Sequence, residues 1–363
     1  MKITKVEAAA YRVPVKVPLK SKPMHREAVV AHVETDEGLV GYGLTGHILR
    51  EGVVAFINRE AGPFLVGRDP LPSERVWRDL YRTFNVRTLS GAWSSAVSAI
   101  DIALWDIRGK HYGVPTSQLL GGARTKVPAY ITFGLMEYSR EELIEVARMF
   151  LDEGQDKLKM VVGINGANDP AEDAARIRAV REAIGDRVEL MIDANYLFSY
   201  PKALRLCKLV EDCDLSWFEE PVYGNDFRLL ADLRRNTSVP IAAGQTLGHI
   251  WHHRELIVNG AVDYSQPNVC YVGGYTEALK VAALAHAFNL PIANGGGWPH
   301  YNMHLQAAVP NGTRVEFHYL MWKTEDALFL DTAQAIKGWV EIPQVPGLGM
   351  ELSPEADRYL IST

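Results

Sequence analysis

Residues 157–193 read KLKMVVGINGANDPAEDAARIRAVREAIGDRVELMID and contain the pattern from which the fold class is predicted. It opens with a short apolar run at 157–162, continues with an amphipathic segment at 171–185, and closes with a second apolar run at 188–193. Apolar runs of this length predict buried strands, and the segment between them is long enough for a crossover helix that leads to a parallel neighbour. The stretch therefore predicts one βα unit followed by the strand of the next.

The same pattern repeats from residue 127 onward, where short apolar runs alternate with amphipathic segments. The runs are 127–134, 157–162, 188–193, 215–219, 239–244, 263–267, 290–294 and 313–318. Eight βα units close naturally into a barrel. We therefore predict an α/β fold built on a modified (β/α)₈ TIM barrel.

The chain before residue 123 has a different pattern. Residues 3–15 are rich in β-formers, and 26–43 predict a hairpin that turns at 36–38. Apolar residues at three- and four-residue spacing then predict helices over 72–84 and 92–112. This part is predicted to be an α+β unit.

Composition excludes several classes of protein. The 363 residues are 47% hydrophobic and 23% charged, which is typical of a globular protein. The net charge is −6 and no basic run is long enough to follow a phosphate backbone, so we expect no nucleic-acid partner. No unbroken apolar run could span a membrane and no signal peptide is evident, so we expect a cytoplasmic protein. The three cysteines lack CxxC spacing and indicate neither a disulfide framework nor a zinc site.

Polar side chains end the predicted strands, and the carboxyl ends of barrel strands meet at one face. In strand order from the second, they are Lys157 and Lys159, Asp193 and Asn195, Glu219 and Glu220, Gln245, Asn268, Asn294 and Glu316. Asp193, Glu219 and Gln245 are oxygen donors on three successive strands, the type of ligand that suits Mg²⁺. A single residue of this kind at a strand end would more often cap the next helix. Three on successive strands, together with two lysines on the preceding strand, favour a metal site.

Lys157 and Lys159 share one face of the second strand because side chains alternate along a strand. Burial near each other and near a divalent cation would push both ammonium groups toward the neutral form that a lysine base requires. A solvated pair on an edge strand is the alternative, which a closed barrel disfavours because it has no open edge.

Several motifs together resemble the enolase superfamily, specifically its mandelate racemase and muconate lactonizing group. They are SAIDIALWDIRGKHYGVPTSQLLGG (98–122), KLK (157–159), DAN (193–195), WFEEP (217–221), GGYTEALK (273–280) and VEFH (315–318). The resemblance implies an N-terminal domain that caps the barrel mouth. The expected organisation is an α+β capping domain at 1–122, a (β/α)₈-type barrel with the active site at 123–325, and a C-terminal segment returning to the capping domain at 326–363.

The resemblance also implies roles for the strand-end residues. One Mg²⁺ on Asp193 and Glu219 would bind a substrate carboxylate, Lys159 would remove the proton α to it, and Lys157 would stabilise the developing charge. Glu316 would hydrogen-bond the carboxylate, and Asn195 would orient a lysine or the metal ligands. Gln245 stands where the family has a third acidic ligand, so we expect the ion to be weakly held.

The His-Asp dyad of the family is absent, because Asn268 and Asn294 stand at its positions. His300 is the nearest candidate for a second acid or base; a histidine bound to backbone at a helix start is the alternative. Four other positions are candidate substrate contacts. They are Asn268, His25 in the expected capping loop, Trp298 as a pocket wall, and His318 at the end of the eighth strand.

These residues predict a lyase that forms an ene-diolate and dehydrates an aldonate or aldarate to a 2-keto-3-deoxy acid. A syn elimination can use one lysine for both proton steps, whereas a racemase needs bases on two faces of the α-carbon and the usual second base is missing. A racemase, epimerase or cycloisomerase is the alternative reaction, and a catalytically impaired organic-acid-binding protein is the alternative class. We expect a small-molecule carboxylate substrate, no membrane partner and a homo-oligomer.

Overall fold

The computed structural model describes residues 1–84 and 90–363. Its N-terminal part contains a four-stranded antiparallel sheet in the order β14-β1-β2-β3. The strands are β1 (Ile3–Val15), β2 (Met24–Thr35), β3 (Val40–Gly46) and β14 (Leu360–Ser362). The predicted strand at 3–15 and hairpin are both present. Gly38 in the turn has φ +79°, a left-handed conformation that glycine adopts without steric cost.

The helices of this part pack on one face of the sheet. They are α1 (Arg50–Phe56), α2 (Gly62–Leu65), α3 (Ser73–Phe84), α4 (Ala92–Tyr112) and α5 (Thr116–Leu119), with a π-helical turn at Ile57–Ala61. Helix α4 is buried on most of its circumference because it lies between this sheet and the barrel helix α12. It ends where the sequence predicts, at Gly113, which has φ +69°.

The barrel is built from parallel strands whose order is β10-β4-β5-β6-β7-β8-β9. They are β4 (Lys126–Gly134), β5 (Lys157–Val161), β6 (Glu189–Asp193), β7 (Leu215–Glu219), β8 (Ile241–Ala243), β9 (Tyr264–Ser265) and β10 (Val315–His318). The seventh predicted strand is reduced to bridges from Ile292 to Ser265 and Gly312. The parallel pairing of β10 with β4 joins the first and last barrel strands, and the predicted fold class is confirmed.

Helices alternate with these strands and cover the barrel. They are α6 (Arg140–Asp152), α7 (Ile164–Ala167), α8 (Pro170–Ile184), α9 (Tyr200–Leu209), α10 (Phe227–Arg235), α11 (Ile250–Val258), α12 (Gly274–Ala287), α13 (Pro299–Ala308) and α14 (Tyr319–Leu328), with 3₁₀ turns at Glu211–Cys213, Tyr223–Asn225 and Ala356–Tyr359. Local sequence sets several starts. Ser139 and Glu142 form a capping box at α6, and the Asp169 side chain accepts from the Glu172 N–H at α8. No helix of the described residues is both long and apolar enough to cross a bilayer.

The interior of the barrel is packed with large side chains at its lower level. Tyr130, Met191, Trp217, Ala242 and Ala293 form this separate cluster, and the rings of Tyr130 and Trp217 meet edge to face with centroids 5.4 Å apart. The barrel is therefore closed from below, and polar side chains are left to its carboxyl end.

The residues after α14 connect both parts of the chain. They form β11 (Phe329–Leu330), β12 (Trp339–Glu341) and β13 (Glu351–Leu352) before β14. Strand β12 pairs antiparallel with β4 of the barrel, and β14 pairs antiparallel with β1. The domain boundaries expected from the sequence stay a prediction.

Strand β3 and helix α4 approach each other closely at Gly43. A Cβ added there would lie 1.8 Å from the Ala99 carbonyl oxygen, whereas one added at Gly52 in α1 meets nothing within 4 Å. We expect Gly43→Ala to destabilise the protein by about 1–3 kcal/mol because backbone must move. Gly52→Ala should be neutral or stabilising by about 0.5–1 kcal/mol, because alanine favours the helix. Thermal unfolding followed by circular dichroism measures both, and equal midpoints would contradict the close packing.

Candidate active site

One ammonium group lies among three carboxylates at the centre of the barrel. Lys159 Nζ is 2.9 Å from Asp193 Oδ2, 2.7 Å from Glu219 Oε1 and 2.8 Å from Glu316 Oε1. The Lys159, Glu219 and Glu316 side chains are fully buried, and Asp193 is nearly so. We call these four residues the carboxylate hub.

Strand register explains how the hub forms. In the parallel pairing of β5, β6 and β7, Val161 lies beside Asp193, and Asp193 lies beside Glu219. Lys159 lies lower, beside Met191, and its long side chain reaches up to the level of the carboxylates. The hub therefore requires the lysine two residues before the end of β5.

Further hydrogen bonds orient the carboxylates. Glu219 Oε2 accepts from Trp217 Nε1 at 3.1 Å and from Gln266 Nε2 at 2.8 Å. Glu316 accepts from the Thr132 hydroxyl and, at 2.6 Å, from the Gly297 N–H. The Asn195 N–H donates to Asp193 Oδ1 at 2.9 Å. Each carboxylate thus has protein donors besides Lys159, as buried charges require.

Glu220 adds a fourth buried carboxylate. Its backbone has φ +43°, and its side chain accepts from Asn225 Nδ2 at 2.7 Å and from Gln245 Nε2 at 2.6 Å. Gln245, predicted as the third metal ligand, is thus bonded to Glu220 through its nitrogen. The sequence predicts Glu220 at a strand end but indicates no role for it. The left-handed backbone conformation that brings Glu220 beside Gln245 could not be predicted from the local sequence.

The charges of the site are unbalanced. Burial, followed by the charge of Asp193, raises the pKa of Glu219 well above its ordinary value and that of Glu220 to about 7. Burial alone would lower the pKa of Lys159, but the three carboxylates outweigh it and raise that pKa well above its ordinary value. Four carboxylates against one ammonium leave a formal excess of three negative charges when all are ionised.

Lys157 is not beside the hub, which corrects its predicted place. Strand β5 begins at Lys157 and ends at Val161, whereas the sequence analysis took both lysines to end it. Lys157 Nζ is bonded to Asp156 Oδ1 at 2.6 Å and lies 5.9 Å from the Trp339 ring centroid, at the amino end of the barrel. Lys157 and Lys159 do share one face of β5, as the sequence predicts. On that face, however, the residue beside Asp193 is Val161.

His300 and His25 are also not placed at the site. His300 is fully buried at the start of α13, with Nε2 2.8 Å from the Ala333 oxygen and Nδ1 3.1 Å from Glu325 Oε2. The backbone-bound alternative therefore describes it better than an acid or base on a swinging loop. His25 is exposed on strand β2, not in a loop, and strand alternation turns it away from the barrel face that Ala28 occupies.

Other predicted contacts line the carboxyl end of the barrel. Asn268 Nδ2 donates to the Gly295 oxygen at 2.7 Å, so this side chain holds the loop that follows Asn294. Trp298 is fully buried and donates to the Tyr271 hydroxyl at 2.9 Å. His318 Nδ1 is buried and has no hydrogen-bond partner among the described residues. Burial, then the charges of Arg26 and Lys159, lowers the pKa of His318 to about 3.

Thr132, Gln266 and Arg26 lie at the site but were not among the residues predicted from the sequence. Thr132 could have been found, because it shares the inward face of its strand with Tyr130, and Gln266 because it follows the sixth strand. Arg26 has no signal of this kind, since its environment comes from distant parts of the chain.

The N-terminal part covers the carboxyl end of the barrel. The Thr45 hydroxyl donates to the Cys270 oxygen at 2.7 Å, and Trp77 Nε1 donates to the Gly273 oxygen at 3.1 Å. Between the two parts lies a cavity of about 330 Å³. Its lining includes Ile48 and Ser94 from the cap and Tyr196, Thr246 and Tyr271 from the barrel loops. Tyr196 and Thr246 directly follow Asn195 and Gln245 in the chain, so this cavity lies close to the carboxyl ends of the barrel strands.

These features define a capped (β/α)₈ barrel with a buried acidic site at the carboxyl ends of its strands. Residues 1–121 match the mandelate racemase/muconate lactonizing enzyme N-terminal domain, and residues 142–356 match the enolase C-terminal domain-like family. The chain therefore belongs to the mandelate racemase and muconate lactonizing group of the enolase superfamily.

Similar proteins in this group are enzymes. The chain is 33% identical to the D-galactarolactone cycloisomerase of Agrobacterium fabrum, over 98% of each chain. A racemase from Streptomyces coelicolor with bound magnesium superposes with a TM-score of 0.90 at 30% identity, over 99% of this chain and 100% of that one. The L-talarate dehydratase of Polaromonas sp. complexed with Mg and L-glucarate superposes with a TM-score of 0.88 at 32% identity, over 100% of this chain and 99% of that one.

The hub predicts a large effect of Lys159→Met. Removing the ammonium leaves buried carboxylates unpaired, which should cost about 3–5 kcal/mol of unfolding free energy at neutral pH. Lys157→Met is the matched control, because it removes a pair whose partner Asp156 is 54% exposed and should cost at most about 1 kcal/mol. Equal losses in denaturant unfolding would contradict the hub.

The Lys159→Met deficit should also depend on pH. An acid whose pKa is raised by folding contributes stability at low pH and loses it as pH rises from the unfolded to the folded pKa. For Glu220 that window runs from its ordinary 4.5 to about 7. Glu219, whose pKa burial also raises, should behave in the same way without the ammonium. The difference in melting temperature from the unchanged protein should therefore be smaller at pH 5 than at pH 8. A deficit independent of pH would contradict this charge assignment.

Proposed function

We propose that this protein is a Mg²⁺-dependent dehydratase that converts a sugar acid to a 2-keto-3-deoxy acid. The observation that carries the proposal is the excess of buried carboxylates over the single ammonium of Lys159, at the end of the barrel where the cap closes. The named relatives add support, since they include a dehydratase and a cycloisomerase of sugar acids. The cytoplasmic location and homo-oligomer expected from the sequence stay predictions.

The donor set fits Mg²⁺ in charge and chemistry. Asp193 and Glu219 supply hard oxygen ligands, and a divalent cation would offset most of the excess negative charge. Within residues 1–84 and 90–363, no three His, Cys, Asp or Glu side chains are already arranged to hold a metal. Lys159 Nζ lies between the carboxylates, so it must yield contacts when the ion binds, and we expect weak binding. When bound, Mg²⁺ would stabilise negative charge on the substrate carboxylate.

The structure favours a different role for Lys159 from the one expected. Three carboxylates within 2.9 Å keep its ammonium protonated, so it has no lone pair with which to accept a proton. We propose that Lys159 stabilises the charge that builds up on the substrate carboxylate when the α-proton leaves. A pre-placed ammonium needs little reorganisation for that task.

We propose His318 as the group that moves the proton. Its Nδ1 is buried and unpartnered in the described part of the chain, and its lowered pKa keeps the imidazole neutral at pH 7. A bound carboxylate would raise that pKa toward the working range of a general base. The imidazole takes the α-proton and then gives it to the departing β-hydroxyl, which leaves as water. The resulting enol becomes the 2-keto acid.

A screen of aldonic and aldaric acids for 2-keto product tests the reaction. We expect His318→Asn to lose turnover by about 10²–10⁴-fold, because a general base contributes on that order. His25→Asn is the control, since His25 is exposed and faces away from the barrel. Full activity of His318→Asn would remove the proposed base. Deuterium entering recovered substrate in D₂O without loss of hydroxyl would favour the isomerase alternative.

Metal removal gives a second test. Chelation should abolish turnover, and added Mg²⁺ should raise the midpoint of thermal unfolding because it binds only the folded state. Asp193→Asn should lose that thermal shift, whereas Asp156→Asn, which changes an exposed carboxylate at the other end of β5, should keep it. Undiminished turnover after chelation would contradict the Mg²⁺ dependence. Binding of a sugar acid without turnover under any condition would favour the binding-protein alternative.

A further inference from the structure

Arg26 directs a guanidinium toward the covered end of the barrel. Strand β2 places alternate residues on opposite faces, and Ala28 and Val30 pack in the core that includes the barrel, whereas Val29 and Ala31 pack in the core of the cap. Arg26 shares the face of Ala28 and Val30. Its neighbour Glu27 lies on the opposite face and pairs with Arg50.

The Arg26 side chain lacks a partner among the residues that the structure describes. Among residues 1–84 and 90–363, no carboxylate oxygen lies within 4.0 Å of it, no hydrogen bond involves it, and its Nε is buried. Other buried arginines donate to carbonyl oxygens. Arg108 donates to the Pro70 and Leu71 oxygens, and Arg181 donates to the Cys213 oxygen at 2.8 Å. A buried guanidinium N–H without an acceptor costs free energy, which an anionic ligand at Arg26 would recover.

The surroundings of Arg26 belong to the site. Ala28, on the same face as Arg26, pairs with Gly46, where an added Cβ would lie 2.0 Å from the Tyr271 hydroxyl. The positive charge of Arg26 also contributes to the lowered pKa of His318. Tyr271 lines the cavity between the cap and the barrel, and Trp298 donates to its hydroxyl at 2.9 Å. Two cations lower the pKa of His318. Lys159 is held by three carboxylates, whereas no carboxylate of the described residues pairs with Arg26. Arg26 is thus the cation that remains available to a ligand.

We propose that Arg26 binds a second carboxylate of the substrate, so that the protein prefers aldaric acids, which carry a carboxylate at each end, to aldonic acids. This inference rests on the proposed function, because it takes the first carboxylate to bind at the hub. Guanidinium and carboxylate match in planar, two-bond geometry, which a sugar hydroxyl at the same position cannot reproduce. Arg26 is accordingly a specificity-determining residue.

Direct binding measurements with matched acids test the proposal. Galactarate and galactonate have the same carbon skeleton and differ in whether the far end is a carboxylate or a hydroxymethyl group. By calorimetry with Mg²⁺ present, we expect the unchanged protein to bind galactarate at least about 10-fold more tightly. Arg26→Met should weaken galactarate binding by about 10–100-fold, the usual value of a charged hydrogen bond, and change galactonate binding little.

Two further variants make the outcome decisive. Arg12→Met removes an arginine from the neighbouring strand whose side chain is 54% exposed, and it should leave both affinities unchanged. Arg26→Lys keeps the charge but not the two-bond geometry, so it should retain part of the preference for galactarate over galactonate. If Arg26→Met does not fold, Arg26→Lys alone tests whether Arg26 sets this preference. A sugar acid that carries a phosphate at the far end should be compared as well. Tighter binding of that acid than of galactarate would overturn the carboxylate assignment.

The binding measurements distinguish a wrong role for Arg26 from a wrong function for the protein. If both acids bind without preference, or if Arg26→Met weakens both equally, the role of Arg26 is refuted and the sugar-acid function stands. If the unchanged protein binds no aldonic or aldaric acid and turns none over, the proposed function fails and the inference fails with it.

Discussion

Several carboxylates are buried around one ammonium group at the centre of the barrel, and the surrounding packing and hydrogen bonds keep them paired. Isolated charges are expelled from a protein interior, so each must find a partner. Lys159 partners three of them, and donors such as Trp217, Gln266 and the Gly297 N–H engage the remaining oxygens. Packing below the hub and the cap above it keep bulk water away. The result is a site whose electrostatics are set before any ligand arrives.

Much of the fold could be read from the sequence because hydrophobic periodicity reports burial. The alternation of apolar runs and amphipathic segments predicted the barrel, and the α4 helix was predicted at 92–112 with its observed bounds. The seventh strand was less regular than expected, since only Ile292 makes bridges there. Periodicity identifies an element, whereas its ends depend on tertiary contacts that no local pattern encodes.

The site could be predicted only as accurately as the ends of the barrel strands. Asp193, Glu219 and Glu316 were identified because each follows an apolar run, and the structure gathers them around Lys159. Lys157 was predicted to lie in the site because both lysines were assigned to the end of their strand, whereas Lys157 begins β5 and lies at the opposite end of the barrel. Arg26 could not be predicted for a different reason. The absence of a partner for its side chain is recognised only when its neighbours in the folded protein are known.

The pairing of β14 with β1 has a consequence for biosynthesis. These strands join residues 360–362 to a strand that begins at Ile3, with the whole barrel between them. During translation, β1 leaves the ribosome long before its outer neighbour is made. The nascent cap therefore waits with one β-edge open, a state that invites pairing with other chains and that chaperones or fast barrel folding must shorten.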